Sequence, residues 1–396
     1  MADLVRSTGM ERGEISAGQE RVAFFGQRQN SNSSHCSGIS ERKSGPLQYL
    51  SPVGSRTDNI RSPTPEPMEQ VAAGVHQLSI QRFVNVYFVE TGTPGEWVLV
   101  DTGLPGSEKA IIAAADKLFY PGTHPEAIIL THGHMDHSGS AQALAEHWKV
   151  PVLAHPLELP FLTAKAVYPP ADPTVAGGGS LAFVARFFPP QSFQLSDYVQ
   201  QLPANDVDPP FLPDWQWIHV PGHAPGQVAL FREKDRTLLG ADAFATANHE
   251  SVPELLLQLP KISVAGAPFN YNWQQVGESI RTLAALRPEA IGCGHGPVIR
   301  GAQAAEGLQK LADEFQVPAR GRYVQHPART DENGVAYLPP APHDPIRTKF
   351  AITAAGLGAL VGAALLVKRY QKHKQNEYPR PVAAEPKRER TEEVVR

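Results

Sequence analysis

Histidine and aspartate cluster in one short motif, Thr131-His-Gly-His-Met-Asp-His137, which offers four side chains of the kinds that bind metal ions. With 15 histidines in 396 residues, a chance His-x-His-x-Asp-His motif has odds of about one in a thousand. The motif follows a predicted strand at residues 127–130. A loop at a strand end, given freedom by Gly133 and Gly139, can turn several imidazoles toward one point, whereas a helix would spread them over different faces. The pattern indicates a metal site rather than a solvated histidine-rich loop.

Three later motifs each place one more ligand-type side chain directly after an apolar stretch. They are Pro221-Gly-His223, Gly240-Ala-Asp242 and Gly292-Cys-Gly-His295. Glycine beside each ligand lets the backbone turn tightly at the end of a strand. The donors are imidazole nitrogens and carboxylate oxygens without a thiolate, which suit Zn²⁺ and also admit iron or manganese. Zinc is the default expectation.

These motifs resemble those of the metallo-β-lactamase superfamily, specifically its glyoxalase II and lactonase-like branches, over residues 71–315. The resemblance implies that His132, His134 and His223 bind a first metal ion, that Asp136, His137 and His295 bind a second, and that Asp242 bridges the two. It also implies an αβ/βα sandwich of four layers. Asp101 matches the superfamily's first motif and is expected to orient ligands rather than bind metal. The alternative for Asp101 is a simple turn residue at a strand end.

The ligand set predicts a dinuclear hydrolase that uses a metal-bridging hydroxide to attack an ester, lactone or thioester. Asp136 is expected to hold the proton of the nucleophile as well as to bind metal, so no Ser or Cys nucleophile is required. Two alternative activities stay open. One is β-lactam hydrolysis, which the same ligands support, and the other is a persulfide dioxygenase type of oxidoreductase with a single iron. A non-catalytic membrane scaffold is disfavoured because it has no use for intact ligands.

The other histidines are interpreted as structural or solvated. His76 and His219 lie in predicted strands, and His147 lies near the end of a predicted helix. The same interpretation is favoured for His155 and His249, although each follows a segment that is predicted to end near the site.

Composition and charge limit the partners of the protein. A net charge of −4 gives no electrostatic reason to expect a nucleic acid, so a small-molecule substrate is expected. The two cysteines, Cys36 and Cys293, lie in segments of very different composition, and we expect no disulfide between them. Cys293 is instead interpreted as a buried apolar side chain. The oligomeric state does not follow from the sequence.

Short apolar runs and helical patterns alternate along residues 71–315 and predict the α/β class, with two mixed sheets between layers of helices. A Pro- and Gly-rich insertion, residues 157–214, interrupts this pattern between two of the ligand motifs. Because both ends of the insertion start beside predicted ligands, part of it is expected to form a substrate pocket. The expected pocket residues are Phe183, Arg186, Phe187 and Phe188. The phenylalanines would cover a substrate and exclude water, and Arg186 would either meet a substrate carboxylate or remain solvated.

Both ends of the chain differ from the middle in composition. Residues 1–67 are rich in polar residues and are predicted to be a disordered extension, unless Met68 is the natural start. The segments that follow are a hydrolase domain at 68–318, a Pro-rich extension at 319–349, a hydrophobic helix at 350–367 and a charged tail at 368–396. An uncharged run of this length can span a bilayer. We therefore expect a single-pass C-terminal membrane anchor and a cytoplasmic catalytic domain, with a helix docked on the protein as the alternative.

Overall fold

The computed structural model describes residues 68–189, 191–195, 197–203, 209–344 and 346. The predictions made for residues 1–67, 350–367 and 368–396 lie outside this range.

The secondary structure follows the order of the predicted α/β pattern. The strands are β1 (Met68–Ala72), β2 (Val75–Ile80), β3 (Val84–Glu90), β4 (Trp97–Val100), β5 (Ile128–Ile129), β6 (Val152–Ala154), β7 (Val199–Gln201), β8 (Trp215–His219), β9 (Val228–Arg232), β10 (Thr237–Leu239), β11 (Ala245–Ala247), β12 (Pro260–Ser263), β13 (Ala290–Gly292), β14 (Ile299–Arg300), β15 (Arg329–Asp331) and β16 (Gly334–Tyr337). The helices are α1 (Glu108–Leu118), α2 (Met135–Ser138), α3 (Ala141–Trp148), α4 (Leu159–Leu162), α5 (Gly179–Ala185), α6 (Val252–Leu256), α7 (Trp273–Ala285) and α8 (Ala302–Glu314). Single turns of 3₁₀-helix lie at Pro156–Glu158 and Ala267–Phe269.

Within the described residues, the strands form two large sheets and two hairpins. The first sheet has the order β1 to β7, with antiparallel pairing from β1 to β4 and parallel pairing from β4 to β7. Helix α1 connects β4 to β5, and α2 and α3 connect β5 to β6, as parallel neighbours require a crossover. The second sheet has the order β14-β13-β10-β9-β8, and β11–β12 and β15–β16 are hairpins.

Successive side chains of a strand point to opposite faces of a sheet, and this alternation builds the layers. On β4, Leu99 packs in a cluster with α1 and α3, whereas its neighbour Val100 packs in the cluster between the two sheets. On β9, Leu230 belongs to that same cluster between the sheets, and Phe231 packs with Ile280 and the other apolar residues of α7 and α8. The layers are therefore helices, sheet, sheet and helices, and the predicted mixed α/β sandwich is confirmed.

The insertion and the C-terminal extension pack against each other. The insertion contains α4, α5 and β7, and β7 extends the first sheet. Tyr323 of the extension is 1% exposed and belongs to one apolar cluster with Val175 and Trp273. Its hydroxyl donates to the carbonyl oxygen of Pro170 at 2.6 Å. Both segments thus belong to the folded body that surrounds the ligand loops.

One predicted helix is broken in the structure. The sequence pattern predicts a helix over residues 138–148, but α2 ends at Ser138 and α3 begins at Ala141. Gly139 lies at the break, where a Cβ atom would come within 2.4 Å of the backbone nitrogen of Pro105. The close approach of these two chain segments accounts for glycine at this position.

The prediction of a membrane protein needs correction. Among the described residues, no helix is both long enough and apolar enough to cross a membrane. The longest described helices, α7 and α8, have 13 residues each. That length corresponds to about 20 Å, against about 30 Å for the hydrocarbon core of a bilayer. The predicted hydrophobic helix at 350–367 lies outside the described residues, so the anchor and the membrane localisation have no support in the structure.

Candidate metal centre

The predicted ligands lie at the carboxyl ends of strands from both sheets. His132 and His134 follow β5, and Asp136 and His137 lie in the short helix α2. In the second sheet, β8, β10 and β13 run in one direction, because β10 pairs parallel with β13 and is separated from β8 by the antiparallel β9. The ligand-type residues that follow these three strands are His223, Asp242 and His295. The topology therefore brings all seven side chains to one edge of the sandwich.

His132, His134 and His223 form one compact group of buried imidazoles. Nε2 of His132 lies 3.1 Å from Nδ1 of His134, and that atom lies 3.0 Å from Nε2 of His223. Ligand atoms around a tetrahedral zinc ion are about 3.3 Å apart when each is about 2.0 Å from the metal. The group therefore has the spacing of three ligands of one ion.

Asp136, His137 and His295 form a second group with wider spacing. Nε2 of His295 lies 3.3 Å from Oδ2 of Asp136, and Nε2 of His137 lies 4.0 Å from the same oxygen. The ligand atoms of this group all lie within 4.8 Å of one another. This group could hold a second ion.

Asp242 lies between the two groups and is 3% exposed. Its Oδ2 atom is 3.5 Å from Nε2 of His223 in the first group and 3.3 Å from Nε2 of His295 in the second. Its Oδ1 atom is 3.7 Å from Nε2 of His137. One carboxylate thus contacts both groups.

Three buried polar atoms in this region make no hydrogen bond within the described part of the chain. They are Nε2 of His137, Nε2 of His295 and Oδ1 of Asp242. An unsatisfied buried polar atom costs about 1–3 kcal/mol, so such atoms call for an explanation. A divalent cation would be a partner for all three, and the donor set fits a metal ion on this ground.

Oxygen atoms behind the imidazoles determine which ring nitrogen faces the centre. In His137, Nδ1 donates to Oδ2 of Asp101 at 2.7 Å. In His223, Nδ1 donates to Oδ1 of Asn270 at 3.0 Å. In His295, it donates to the carbonyl oxygen of Phe83 at 2.7 Å. These oxygens can only accept, so the hydrogen of each neutral ring is on Nδ1. Nε2 then presents its lone pair to the centre, as a metal ligand must.

Asp101 is buried and connects the ligand loop to the end of β4. Its Oδ1 atom accepts from the backbone N–H of Thr131 at 2.8 Å, and its Oδ2 atom accepts from the Thr131 hydroxyl at 2.8 Å as well as from His137. The Asp101 backbone has a φ of +62°, in the left-handed region. Asp101 therefore lies behind His137, where an orienting carboxylate is expected.

The first group is an environment for neutral imidazoles. Burial, together with the neighbouring histidines, holds the pKa of His132 well below its usual value. Burial and His223 lower the pKa of His134 to about 3. Burial also lowers the pKa of His223, in spite of the opposing carboxylate of Asp242.

The second group has the opposite electrostatic character. Burial by itself would lower the pKa of His295, but Asp242 and Asp136 raise it to about 10. The same balance, with Asp101 as the strongest of the carboxylates, raises the pKa of His137 well above its usual value. The carboxylates therefore attract positive charge to this side of the centre.

Sequence reasoning missed several residues beside the ligands. Asn270, Glu158 and Tyr168 have no motif of their own, although a charged residue inside the apolar stretch Leu157-Glu-Leu-Pro-Phe161 is a signal that could have drawn attention to Glu158. His249 was interpreted as structural, yet it forms a further group of ligand-type side chains with Asp242 and His295. The ring of His249 lies 4.1 Å from that of His295, centroid to centroid.

The other histidines of the described ranges lie in none of the groups of ligand-type residues found there. His155 and His219 stack on each other, with ring centroids 4.3 Å apart. His76 lies 3.9 Å from the carboxylate of Glu90, and His147 is exposed.

The four expected pocket residues fall into two places. The ring of Phe188 stacks on Phe269 with 5.9 Å between centroids, and Phe269 lies 6.0 Å from the ring of His134. Phe183 and Arg186 instead line a separate cavity of about 880 Å³ between the insertion and the C-terminal extension, where Arg186 pairs with Asp344 at 2.8 Å. Phe187 is exposed. Of these four residues, Phe188 has the most direct contact with the candidate centre, through the ring of Phe269.

Comparisons with known proteins agree with the geometry. The model of the Metallo-beta-lactamase superfamily matches residues 80–295, more than half of the chain. The probable metallo-hydrolase YflN of Bacillus subtilis (strain 168) is 40% identical over 247 residues, which are 62% of this chain and 92% of the relative. The probable metallo-hydrolase YybB of the same organism is 31% identical over 172 residues, which are 43% of this chain and 67% of the relative.

Two solved structures are among those similar to this chain. The crystal structure of TTHA1623 in a di-iron-bound form is 25% identical, with 59% of this chain and 95% of that chain covered and a TM-score of 0.39. A metallo-beta-lactamase family protein of Thermus thermophilus, TTHA1429, is 20% identical, with 61% and 79% covered and a TM-score of 0.42. The family match, the relatives and the ligand-type residues at one edge of the sandwich lead to one conclusion: this chain belongs to the metallo-β-lactamase superfamily and is a metal-dependent hydrolase.

Proposed function

We propose that this protein uses two divalent metal ions to hydrolyse an ester, a lactone or a thioester, as the glyoxalase II and lactonase-like branches of the superfamily do. The observation that carries the proposal is the convergence of seven ligand-type side chains into two adjacent groups that share Asp242. Zinc is the default metal, and the nitrogen and oxygen donors also suit iron or manganese.

Each ligand has a role in this proposal. One ion would be held by His132, His134 and His223, the other by Asp136, His137 and His295, and both by Asp242. When bound, such ions lower the pKa of a coordinated water and polarise a substrate carbonyl. Asp101 and Asn270 would keep His137 and His223 in the tautomer and orientation that ligation requires, through the hydrogen bonds to Nδ1.

Asp136 is the carboxylate best placed to handle a proton. Its side chain is 25% exposed, whereas that of Asp242 is 3% exposed. A group that accepts a proton from the attacking water and delivers it to a leaving group must reach the substrate. Asp242 is enclosed by His137, His223 and His295, so we assign the proton transfer to Asp136 and the bridging position to Asp242.

The surroundings of the centre favour an uncharged carbonyl substrate. Phe83 contacts His295 with 5.3 Å between ring centroids, and Phe269 lies beside His134 on the other side. In the described part of the chain, the ion pairs of Asp136 and Asp242 involve histidines only. Phe83 and Phe269 give such a substrate apolar contacts beside the centre.

The proposal is tested with purified protein that is stripped by a chelator and reloaded with Zn²⁺, Mn²⁺ or Fe²⁺. Metal content is measured, and each form is assayed on a panel of aryl esters, lactones, thioesters, phosphoesters and β-lactams. We expect two ions per chain and hydrolysis of a carbonyl substrate that disappears on stripping and returns on reloading. His132→Ala, treated identically, is the matched control for hydrolysis that does not depend on the centre.

Other results would favour the alternatives. One iron per chain with oxygen consumption on a persulfide would identify a dioxygenase, and turnover of β-lactams alone would identify a β-lactamase. Hydrolysis that is equal in stripped, reloaded and His132→Ala protein would contradict the proposed centre.

A further inference from the structure

Glu158 is a buried carboxylate beside the candidate metal centre, and among the described residues it forms no ion pair with a basic side chain. It ends the turn of 3₁₀-helix that follows β6, and its exposed fraction is 0%. Burial raises its pKa, and the groups that oppose this effect are hydrogen-bond donors, with no lysine or arginine among them. A carboxylate in such a place must be satisfied by hydrogen bonds, because its desolvation is otherwise very unfavourable.

Three donors from distant parts of the chain converge on Glu158. The backbone N–H of Gly133 donates to Oε2 at 2.8 Å, and the backbone N–H of Gly226 donates to Oε1 at 2.6 Å. The hydroxyl of Tyr168 donates a short hydrogen bond to Oε2 and also accepts from Gly133. One planar group therefore joins the ligand loop, the loop after β8 and the insertion.

The two glycines lie within the loops that carry the first ligand group. Gly133 separates His132 from His134, and Gly226 lies in the tight loop that begins with His223 and returns to β9. Bonds to opposite oxygens of one carboxylate set the distance between these loops. The ring of Tyr168 also packs against His134, with 4.8 Å between centroids.

The close fit around Glu158 explains why glycine occupies both positions. A Cβ atom on Gly133 would lie 2.4 Å from the Tyr168 hydroxyl, and one on Gly226 would lie 2.6 Å from Nδ1 of His155 and 2.9 Å from Cγ of Glu158. Neither glycine has a positive φ, so backbone conformation does not require glycine there. The requirement comes from the approach of Tyr168 to Gly133, and of His155 and Glu158 to Gly226.

We infer that Glu158 is a positioning residue of the metal centre, which holds the loop of His132 and His134 against the loop of His223. The inference rests on the proposed function, because it takes these three histidines as ligands of one ion. In the second group, His137 and His295 bond directly to Asp101 and to the carbonyl oxygen of Phe83, and no hydrogen bond of the described residues joins Glu158 to either histidine. Loss of Glu158 should therefore weaken one ion selectively.

The test is Glu158→Gln, which keeps the shape of the side chain. A glutamine amide has one acceptor oxygen, and its NH₂ group would face a backbone N–H that has lost its acceptor. We expect the first ligand group to bind Zn²⁺ about 10- to 100-fold more weakly, the usual effect of losing an outer partner of metal ligands. Competition with a chromophoric chelator measures both affinities, and the visible spectrum of Co²⁺-loaded protein reports the geometry.

Asp172→Asn is the matched control for a purely structural effect. Asp172 is 2% exposed and, like Glu158, accepts hydrogen bonds from N–H and O–H donors, here of Thr174 and Arg322. Its carboxylate joins the insertion to the C-terminal extension, and in the described part of the chain the hydrogen bonds of that carboxylate involve none of the seven ligand-type residues. We expect this variant to have a lower Tm and unchanged Zn²⁺ affinities.

If Glu158→Gln does not fold, Tyr168→Phe removes one donor and keeps the ring, and it should weaken the same ion by a few-fold. Unchanged Zn²⁺ affinities in these variants, with only a lower Tm as in Asp172→Asn, would overturn the positioning role and leave the proposed function intact. Wild-type protein that binds no Zn²⁺, Mn²⁺ or Fe²⁺ would overturn both. The two failures are therefore distinguishable.

Discussion

The two halves of the candidate centre prepare similar side chains in different ways. The histidine half consists of His132, His134 and His223, and the mixed half consists of Asp136, His137 and His295. In the histidine half, burial lowers the pKa values of the imidazoles. In the mixed half, carboxylates overcome burial and raise them.

The difference shows two ways to prepare an imidazole for a metal ion. Neighbouring carboxylates can attract the cation by their charge, or hydrogen bonds can fix the position of the imidazole. The mixed half places Asp101 and Asp242 beside its rings, so a cation is attracted electrostatically. The histidine half has fewer charges of its own, and its geometry depends on hydrogen bonds that His223 donates to Asn270 and that the backbone of the ligand loops donates to Glu158. The variants that follow test this contrast in order of decreasing expected effect.

Asp242→Ala should have the largest effect, because the Asp242 carboxylate lies against ligands of both halves. We expect kcat to fall at least about a hundredfold and metal to be lost from both halves. Turnover and metal content are measured on the same preparation, with Asp172→Ala as a control for loss of a buried carboxylate elsewhere. Two retained ions with unchanged turnover would show that Asp242 does not bridge the halves.

Asp101→Asn should affect the mixed half more than the histidine half, because Asp101 bonds His137 directly and reaches His132 only through Thr131. Asparagine keeps the size of the side chain and tolerates the left-handed backbone at this position, but it removes the negative charge next to His137. We expect about a 10- to 100-fold loss of metal affinity in the mixed half. Chelator competition measures this loss, and an equal loss in both halves would contradict the separation between charge and position.

The pH dependence of the metal-free protein should separate the halves as well. The folded-state pKa of His134 is lowered to about 3 from 6.5, so its unfolded form binds a proton first and stability falls as the pH falls from 6.5 toward 3. The folded-state pKa of His295 is raised to about 10, so its contribution is complete below 6.5 and is lost as the pH rises toward 10. Each group changes the free energy of unfolding by at most about 1.4 kcal/mol per pH unit.

Urea denaturation of stripped protein across this pH range measures the effect. His134→Asn should flatten the acid side of the stability profile, and His295→Asn should flatten the alkaline side. If His134→Asn flattened the alkaline side and His295→Asn the acid side, the electrostatic contrast between the halves would be the reverse of the one described.

Phe188→Ala should have the smallest effect, confined to the substrate. Phe188 stacks on Phe269 beside the histidine half. Its loss should lower kcat/KM by an amount that corresponds to about 1 kcal/mol of transition-state stabilisation, and it should leave the metal content unchanged. Phe183→Ala is the matched control, since Phe183 lines the cavity near Arg186. If Phe183→Ala has the larger effect, the substrate pocket lies at that cavity instead.

The ligand-type residues could be predicted to converge because the signal at each one is local. An apolar strand, a glycine and a histidine or aspartate lie next to one another in the sequence. The directions of the strands then bring these side chains to one edge of the sandwich. Strong helical periodicity likewise makes α7, Trp273–Ala285, and α8, Ala302–Glu314, recognisable in the sequence. Short elements such as α6 and β12 were missed, because a few residues carry too little periodicity to recognise.

The residues that support the ligands could not be predicted in the same way. Asn270 is 47 positions from His223, and Glu158 is 68 positions from Gly226. A charged residue in an apolar stretch can draw attention to a position, but the role of a buried polar side chain depends on its partner, which becomes known only when the loops are placed in space. The pocket prediction placed four residues together, but in the structure Arg186 forms an ion pair with Asp344 of the C-terminal extension.

The ligands come from loops of both sheets, with His132 and His134 after β5 of the first sheet and His223, Asp242 and His295 after strands of the second. Bound ions would therefore cross-link the two large sheets at the edge of the sandwich where the ligand loops meet. Such a cross-link exists only in the folded chain, so metal binding adds its own free energy to that of folding. At a free metal concentration a thousand times the Kd, this addition is about 4 kcal/mol for one site. Thermal melting in buffers of defined free Zn²⁺ would then report the occupancy of the centre in the absence of any substrate.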